Sequence, residues 1–200
     1  QLDIVNSLRF NNALSIVTTT AEGLKALLEH GVAATAEGAT PGQFPQVGGV
    51  EFSFDPGLDS GARIQSLAIV DETGTVVDEI VRDGSLIGDA SREIKVVTLS
   101  FLADGGDGYP FADLISDRVD LFDETSPSLT GEAVFAADGT EQDALAEYLA
   151  SSFAETPYDV AETPPEQDER IQNLALRDDM VLTTTAPLMQ SLVPEPALAG

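Results

Sequence analysis

Aromatic, glycine and acidic residues that could hold a ligand meet in one short stretch, between Phe101 and Asp107. An apolar, β-rich run precedes Phe101, and it is followed by Gly105, Gly106 and Gly108. Glycines at this spacing end a strand and let the backbone approach a ligand that any Cβ would keep away. We therefore expect Phe101 at the carboxyl end of a buried strand and Asp107 in the loop beyond it, a common place for ligand-binding groups.

The residues alone leave more than one interpretation of this loop open. Phe101 is either a core aromatic or a platform for a flat ligand, and Asp107 is either a turn aspartate or a ligand group. A calcium loop is a third interpretation, because Asp104 and Asp107 stand among glycines. The loop lacks the regularly spaced ligand residues and the distal Glu of an EF-hand.

Charge and composition exclude several classes of function. The 200 residues include 35 acidic and 9 basic side chains, a formal net charge of -26. Nucleic-acid binders need Lys and Arg to displace counterions from phosphates, so we exclude a nucleic acid partner. The chain has no cysteine and one histidine, His30, which we interpret as structural. One histidine is too few for a multi-histidine metal site, and we assign no Ser-His or Cys-His catalysis to it. We expect no catalytic residue and no metal site in this chain, and no run long enough to span a bilayer.

Periodicity predicts an α+β fold in which antiparallel strands predominate. Strand-like pieces are expected from 2 to 17, and an antiparallel meander from 47 to 77. A helix is predicted behind a capping box of Thr19 and Glu22, and another over 141–153 behind Thr140. Residues 116–140 are expected to form an irregular surface excursion. We predict one domain over 1–176 and a docked or disordered tail over 177–200.

Three segments, in order, resemble the carboxyl-terminal domain of the 5'-nucleotidase family. Residues 101–109, FLADGGDGY, resemble its F-x-A-x-G-G-D-G-[YF] signature. Residues 8–14, LRFNNAL, resemble its P-F-x-N-x-L segment, and residues 42–52, GQFPQVGGVEF, resemble its P-Q-V-x-G-x-x-[FV] segment. The family includes UDP-sugar hydrolases, 2',3'-cyclic-nucleotide phosphodiesterases and animal ecto-5'-nucleotidases, and its domain has a layered α/β/β/α build with peripheral helices.

The resemblance implies a nucleotide- or nucleoside-binding site. The rings of Phe10 and Phe101 would stack the base, and Asn12 would bond its edge. Asp107 would accept hydrogen bonds from the ribose hydroxyls, while the glycines at 105 and 106 would let the backbone approach the sugar. Two flat rings stack a base for roughly 1 to 3 kcal/mol each and tolerate different bases.

The resemblance also implies what lies outside this chain. Family members hold two divalent metal ions on a separate amino-terminal metallophosphoesterase domain, whose G-N-H-[ED] segment does not occur here. The family's G-G-I-R stretch before the position of Phe10 is also missing from these 200 residues, so we expect the front of the recognition domain to lie outside them. Family members work in the periplasm or outside the cell. The alternative function is a secreted acidic module that binds calcium or a surface partner.

Overall fold

A computed structural model of the protein describes residues 1–36, 38–159 and 167–183. The helices are α1 (Leu2–Ser7), α2 (Ala21–Val32), α3 (Ser100–Ala103), α4 (Phe111–Leu114) and α5 (Glu141–Ser152). The strands are β1 (Leu14–Thr20), β2 (Val50–Phe54), β3 (Ile64–Val70), β4 (Val76–Arg82), β5 (Ser85–Leu86), β6 (Glu93–Leu99), β7 (Ile115–Asp120) and β8 (Ile171–Asn173). Within the described residues, no helix is long and apolar enough to cross a bilayer.

The strands form two sheets. A three-stranded sheet has the order β6-β1-β7, and a five-stranded sheet has the order β5-β4-β3-β2-β8. The strands pair antiparallel except for β2 and β8, which run parallel. The predicted α+β class with mostly antiparallel or mixed pairing is confirmed, and so is the meander, which consists of β2, β3 and β4.

Helix α2 packs between the two sheets and joins two apolar clusters. On one side Leu24, Leu28 and Val32 pack with buried residues of the five-stranded sheet, among them Phe52 and Phe54. On the other side the helix packs through Leu27 into a cluster with Val17, Tyr109 and Phe111. This central helix therefore links the sheet that carries the candidate site to the larger sheet.

The cap of α2 lies one residue later than the sequence predicts. The Thr20 hydroxyl accepts a hydrogen bond from the Gly23 amide at 3.0 Å, which makes Thr20 the N-cap. Thr19 belongs to β1, and its hydroxyl donates to the Leu114 carbonyl at 2.8 Å. Either threonine could cap the helix by its chemistry. The Thr19 hydroxyl is engaged with Leu114, so Thr20 is the cap.

The prediction of a strand near the start of the chain is wrong, because residues 2–7 form α1. The Ile4 side chain is buried with Ala133 and Ala146 of a satellite cluster that includes α5. The side-chain nitrogen of Gln142 in α5 also donates to the Leu8 carbonyl at 2.7 Å. A short apolar run fits a helix or a strand equally well, and this contact with α5 selects the helix.

The expectation that the strand before Phe101 is buried is also wrong for one face of β6. Pairing in register places Val97 of β6 and Val119 of β7 on either side of Ile16 on the outer face of the three-stranded sheet. The Val97 and Val119 side chains are more than half exposed. Strand β7 itself occupies the start of the segment predicted to be irregular, of which residues 121–140 form turns and bends.

Helix α5 begins where the sequence predicts. The Thr140 hydroxyl accepts a hydrogen bond from the Asp143 amide, although at the long distance of 3.4 Å. The helix ends at Ser152. Its first residue, Glu141, lies beside the segment that carries Phe10 and Asn12, so this cap also fixes part of the candidate site.

Glu29 of α2 holds the start of β3. One carboxylate oxygen accepts from the Ile64 amide at 2.9 Å, and the other accepts from the Arg63 amide at 3.0 Å. The Lys25 ammonium donates to the first oxygen at 3.1 Å. Glu29 is buried, so it satisfies two amides at a strand end where water has little access.

Residues 177–183 pack on the five-stranded sheet. The hydroxyl of buried Ser53 donates to the Asp179 carboxylate at 2.6 Å, and Val181 is fully buried. The Met180 amide donates to the side chain of Gln172 at 2.8 Å. The tail predicted from 177 is therefore docked as far as 183, while its remainder lies outside the described residues. A domain boundary at 176 stays a prediction.

Replacing Glu29 by alanine is expected to destabilise the fold by about 2 to 3 kcal/mol, because two amides at the start of β3 lose their acceptor. Urea unfolding followed by circular dichroism measures the change. The control is Glu22→Ala, an exposed glutamate on the same helix, which should cost about 1 kcal/mol or less. Equal losses in the two variants would contradict this role of Glu29.

Replacing Asp179 by alanine is expected to cost about 1 to 2 kcal/mol, because the buried Ser53 hydroxyl loses its acceptor. The same unfolding measurement applies. Its neighbour Asp178 is exposed, and Asp178→Ala should change stability by less than about 0.5 kcal/mol. If both variants are as stable as the wild type, the contact of 177–183 with the sheet does not contribute to folding.

Candidate functional site

The pairing of β1 with β6 brings the two candidate segments together. Leu14 pairs with Leu99 in register, and beyond that pair the Ser100 amide donates to the Ala13 carbonyl at 2.8 Å. Asn12 therefore lies beside the start of α3, and Phe10 precedes it by two residues. The segments that carry Asn12 and Phe101, far apart in sequence, thus approach each other at one end of this strand pair.

Both candidate aromatic side chains reach solvent. Phe10 is 89% exposed and Phe101 is 49% exposed, whereas Phe52 and Phe54 of the larger sheet are buried. Phe10 lies in the turn after α1. Phe101 is the second residue of α3 rather than the last of a strand, because β6 ends at Leu99.

The glycines of the loop allow the backbone to pass close to the Phe101 ring. Gly105 has a φ of +89°, in the left-handed region that favours glycine. A Cβ on Gly106 would overlap the Phe101 ring as it stands, so a larger residue there would displace the ring. The close approach seen here is between the loop and the aromatic ring, and the predicted approach of the backbone to a sugar stays a prediction.

Asp107 is an exposed residue whose backbone is held in an unusual conformation. Its φ of +53° is uncommon for a residue other than glycine. The His30 ring nitrogen Nε2 lies 2.9 Å from the Asp107 carbonyl oxygen, and the His30 ring packs edge-on against Tyr109 at 4.6 Å between centroids. His30 therefore supports the loop from α2, as expected of a structural histidine.

Tyr109 anchors the far end of the same loop. Its hydroxyl donates to the Gln43 carbonyl at 2.7 Å, and the side chain is buried. Burial, together with the nearby charge of Asp107, raises the pKa of the Tyr109 hydroxyl to about 12. The phenol thus stays protonated at neutral pH and keeps its hydrogen bond to the segment that follows α2.

Asn12 is held by a residue that the sequence did not indicate. Its backbone amide and its side-chain nitrogen both donate to Oε1 of Glu141, at 2.9 and 3.2 Å. The Glu141 amide donates back to the Asn12 carbonyl at 2.9 Å. Glu141 lies far away in the chain and looks like an ordinary first-turn glutamate, so no local pattern could have identified it.

Asp104 is paired with a cation that the sequence did not indicate either. The Arg118 guanidinium of β7 donates to the Asp104 carboxylate at 2.5 Å and to the Asp120 carboxylate at 2.7 Å. This pairing weakens the calcium-loop interpretation, because Asp104 would have to leave Arg118 to ligate an ion. Among the described residues, no group of three or more His, Cys, Asp or Glu side chains could hold a metal ion.

Open cavities lie next to His30 and against the larger sheet. One of about 500 Å³ lies beside α2, with Lys25 and His30 among its lining residues. Another of about 600 Å³ opens against Phe44 and Phe54, with the ion pair of Asp168 and Arg170 at its lining. Neither is lined by Phe10, Phe101 or Asp107.

A family profile matches the first half of the chain. Residues 1–113 match the family described as 5'-nucleotidase, C-terminal domain. This match contains all of the segments that carry the resemblance, including the loop from 101 to 109.

Curated relatives agree with this match over about the same length. Protein 5NUC of Lutzomyia longipalpis is 30% identical over 110 residues, which are 54% of this chain and 18% of that protein. The trifunctional nucleotide phosphoesterase protein YfkN of Bacillus subtilis is 30% identical over 107 residues, which are 54% of this chain and 7% of that protein. The matched segment is thus a small part of each relative.

Solved structures share the fold over most of the chain. A 5'-nucleotidase precursor from Thermus thermophilus aligns with a TM-score of 0.60 and 23% identity, over 86% of this chain and 27% of that one. The NAD nucleotidase NadN of Haemophilus influenzae aligns with a TM-score of 0.56 and 17% identity, over 86% of this chain and 26% of that one. Together with the profile match over more than half of the residues, these comparisons confirm the resemblance, and the chain belongs to the family of 5'-nucleotidase C-terminal domains.

Proposed function

We propose that this domain recognises a nucleoside or nucleotide. The base would stack between the rings of Phe10 and Phe101, and the ribose hydroxyls would donate to Asp107. The family to which the chain belongs supports the class of ligand, because the domain is the carboxyl-terminal part of 5'-nucleotidases. A curated relative that is 30% identical over 107 residues is named a trifunctional nucleotide phosphoesterase protein.

The observation that carries the proposal is the exposure of two phenylalanine rings at one end of the β1–β6 pair. Phe10 at 89% and Phe101 at 49% exposure leave apolar ring surface in water, where a flat ligand can cover it. A base between two rings needs a gap of about 7 Å, two stacking distances of about 3.5 Å, so such rings do not touch each other. Each ring that stacks a base contributes roughly 1 to 3 kcal/mol.

Asp107 suits the role of a ribose acceptor. An ionised carboxylate offers only acceptors, and the two hydroxyls of a ribose offer donors. The Asp107 backbone is already held by His30, so the loop needs little ordering when a ligand binds. Its side chain is exposed, and the loop that carries it follows the helix that carries Phe101.

Asn12 would bond the edge of the base. Its side-chain nitrogen already donates to Glu141, which fixes the orientation of the amide. The Asn12 amide oxygen is then the group that would accept a hydrogen bond from an amino group on the base. Glu141 would thus act as a support for Asn12 rather than as a ligand contact.

Hydrolysis of a phosphate ester would take place outside this chain. We propose that a metallophosphoesterase domain, which carries the two divalent metal ions of the family, is the partner of this domain in the same protein. Support comes from the description of the family as a carboxyl-terminal domain and from the small share of each relative that the match spans. The residues of this chain would bind and orient the nucleoside, and a periplasmic or extracellular location stays a prediction.

Adenosine is expected to bind the 200-residue chain at micromolar to millimolar concentration, and Phe101→Ala should weaken binding by roughly 5- to 100-fold through loss of one stacking ring. Phe10→Ala should have a similar effect. Isothermal titration calorimetry measures both. The control is Val77→Ala, which removes a 61% exposed apolar side chain from the other sheet. Absence of adenosine binding to the wild type, or no loss in either phenylalanine variant, would contradict the proposal.

Asp107→Asn is expected to weaken adenosine binding by about tenfold, because one charged acceptor of the ribose hydroxyls is lost. Binding of 2',3'-dideoxyadenosine, which lacks both hydroxyls, should not change. Asparagine tolerates a positive φ, so the loop keeps its conformation. Asp83→Asn is the matched control, an exposed aspartate with a φ of +48° on the other sheet. Equal losses for the two nucleosides would exclude a ribose contact by Asp107.

A further inference from the structure

The helix that carries Phe101 is too short to fix its own position. Helix α3 consists of the four residues Ser100–Ala103. A single helical turn is unstable by itself, because nucleation fixes several backbone dihedrals for one hydrogen bond. The direction of the Phe101 ring must therefore be set by contacts that other elements make with the two ends of α3.

The first end of α3 is tied to β1 and β7 by hydroxyl groups. The Ser100 and Ser15 hydroxyl oxygens lie 2.8 Å apart, and the Ser15 hydroxyl donates to the Asp120 carboxylate at 2.6 Å. Because the proton of Ser15 goes to the carboxylate, the Ser100 hydroxyl is the donor to Ser15. Ser15, at the centre of this chain of hydrogen bonds, is fully buried, so its own hydroxyl is shielded from water.

The other end of α3 is tied to β7 by an ion pair. Asp104 is the C-cap residue of the helix, and its carboxylate accepts from Arg118 Nη1 at 2.5 Å. Arg118 Nε donates at the same time to Asp120 at 2.7 Å. One guanidinium thus contacts the carboxylates that secure both ends of α3, and its planar fork allows two such contacts at once.

The backbone of β7 places Arg118 at this position. The pairing of β1 with β7 shifts register between Ile16 and Thr18, and Asp117, directly before Arg118, has a φ of +47°. A bulge of this kind changes the direction of the side chains that follow it. The hydrogen bond from Ser15 and the charge of Arg118 hold the pKa of the Asp120 carboxyl below its usual range.

We propose that Arg118 is a positioning residue of the nucleoside site. By joining Asp104 to Asp120, and through Asp120 and Ser15 to Ser100, it holds both ends of α3 and so keeps the Phe101 ring over Gly106 and in place to stack a base. This inference rests on the proposed function for the ligand, while the restraint on α3 is a property of the chain itself.

Two measurements on the 200-residue chain test the role of Arg118. In Arg118→Gln, we expect hydrogen exchange of the amides of residues 101–108 to become at least tenfold faster than in the wild type. We also expect adenosine affinity, measured by calorimetry, to fall about three- to tenfold. Arg118→Lys keeps the charge but loses the fork, so it should give a smaller effect on both.

The control is Arg82→Gln, which removes an exposed arginine from its ion pair with Glu79 on the other sheet. It should alter neither exchange in residues 101–108 nor adenosine affinity. Asp104→Asn should show the effects of Arg118→Gln in part, and the double variant should be no worse than Arg118→Gln alone, because Asp104→Asn weakens one of the two contacts that Arg118→Gln removes.

The outcomes separate the two proposals. A lower melting temperature of Arg118→Gln with unchanged adenosine affinity and unchanged exchange in residues 101–108 would overturn the positioning role and leave a structural one. Faster exchange with unchanged affinity would also overturn it. If the wild type does not bind adenosine, the proposed function fails, and the exchange data alone then support or refute the restraint on α3.

Discussion

The continuation of the β1–β6 pair into the contact between Ser100 and Ala13 is the constraint on which the candidate site depends. It brings Ala13, three residues after Phe10, against the first residue of the helix that carries Phe101. The register of the pair is itself set by the buried inner face of the sheet, where Val17 packs against α2. A slip of one residue would turn this face outward, so core packing and the geometry of the site are fixed by the same pairing.

Supports for the site come from three directions, and each uses polar groups. His30 on α2 holds the backbone of Asp107, Glu141 on α5 holds Asn12, and Arg118 on β7 holds Asp104. His30 and Arg118 contact the loop and its preceding helix, and Glu141 contacts Asn12, while the two candidate rings remain exposed. Such an arrangement limits the motion of the polar residues and leaves apolar ring surface available for a flat ligand.

Local sequence predicts the features that depend on local chemistry. The turns of the meander and the Thr140 cap follow from glycine, aspartate and threonine at the expected offsets. The same reasoning predicts a strand where α1 forms, because a short apolar run fits the periodicity of a helix and that of a strand. Only the burial of Ile4 against the α5 region selects the helix. Glu141 and Arg118 could not be found from the sequence either, since their roles come from partners that pairing and packing bring from distant positions.

The central claim is that one bound base contacts both exposed rings. Nuclear Overhauser effects between the H2 and H8 protons of bound adenosine and the ring protons of selectively labelled phenylalanines measure this directly. The account predicts contacts from the base to Phe10 and to Phe101 in the same complex. Binding of adenosine with contacts to neither ring, or with contacts to a site elsewhere on the chain, would contradict it.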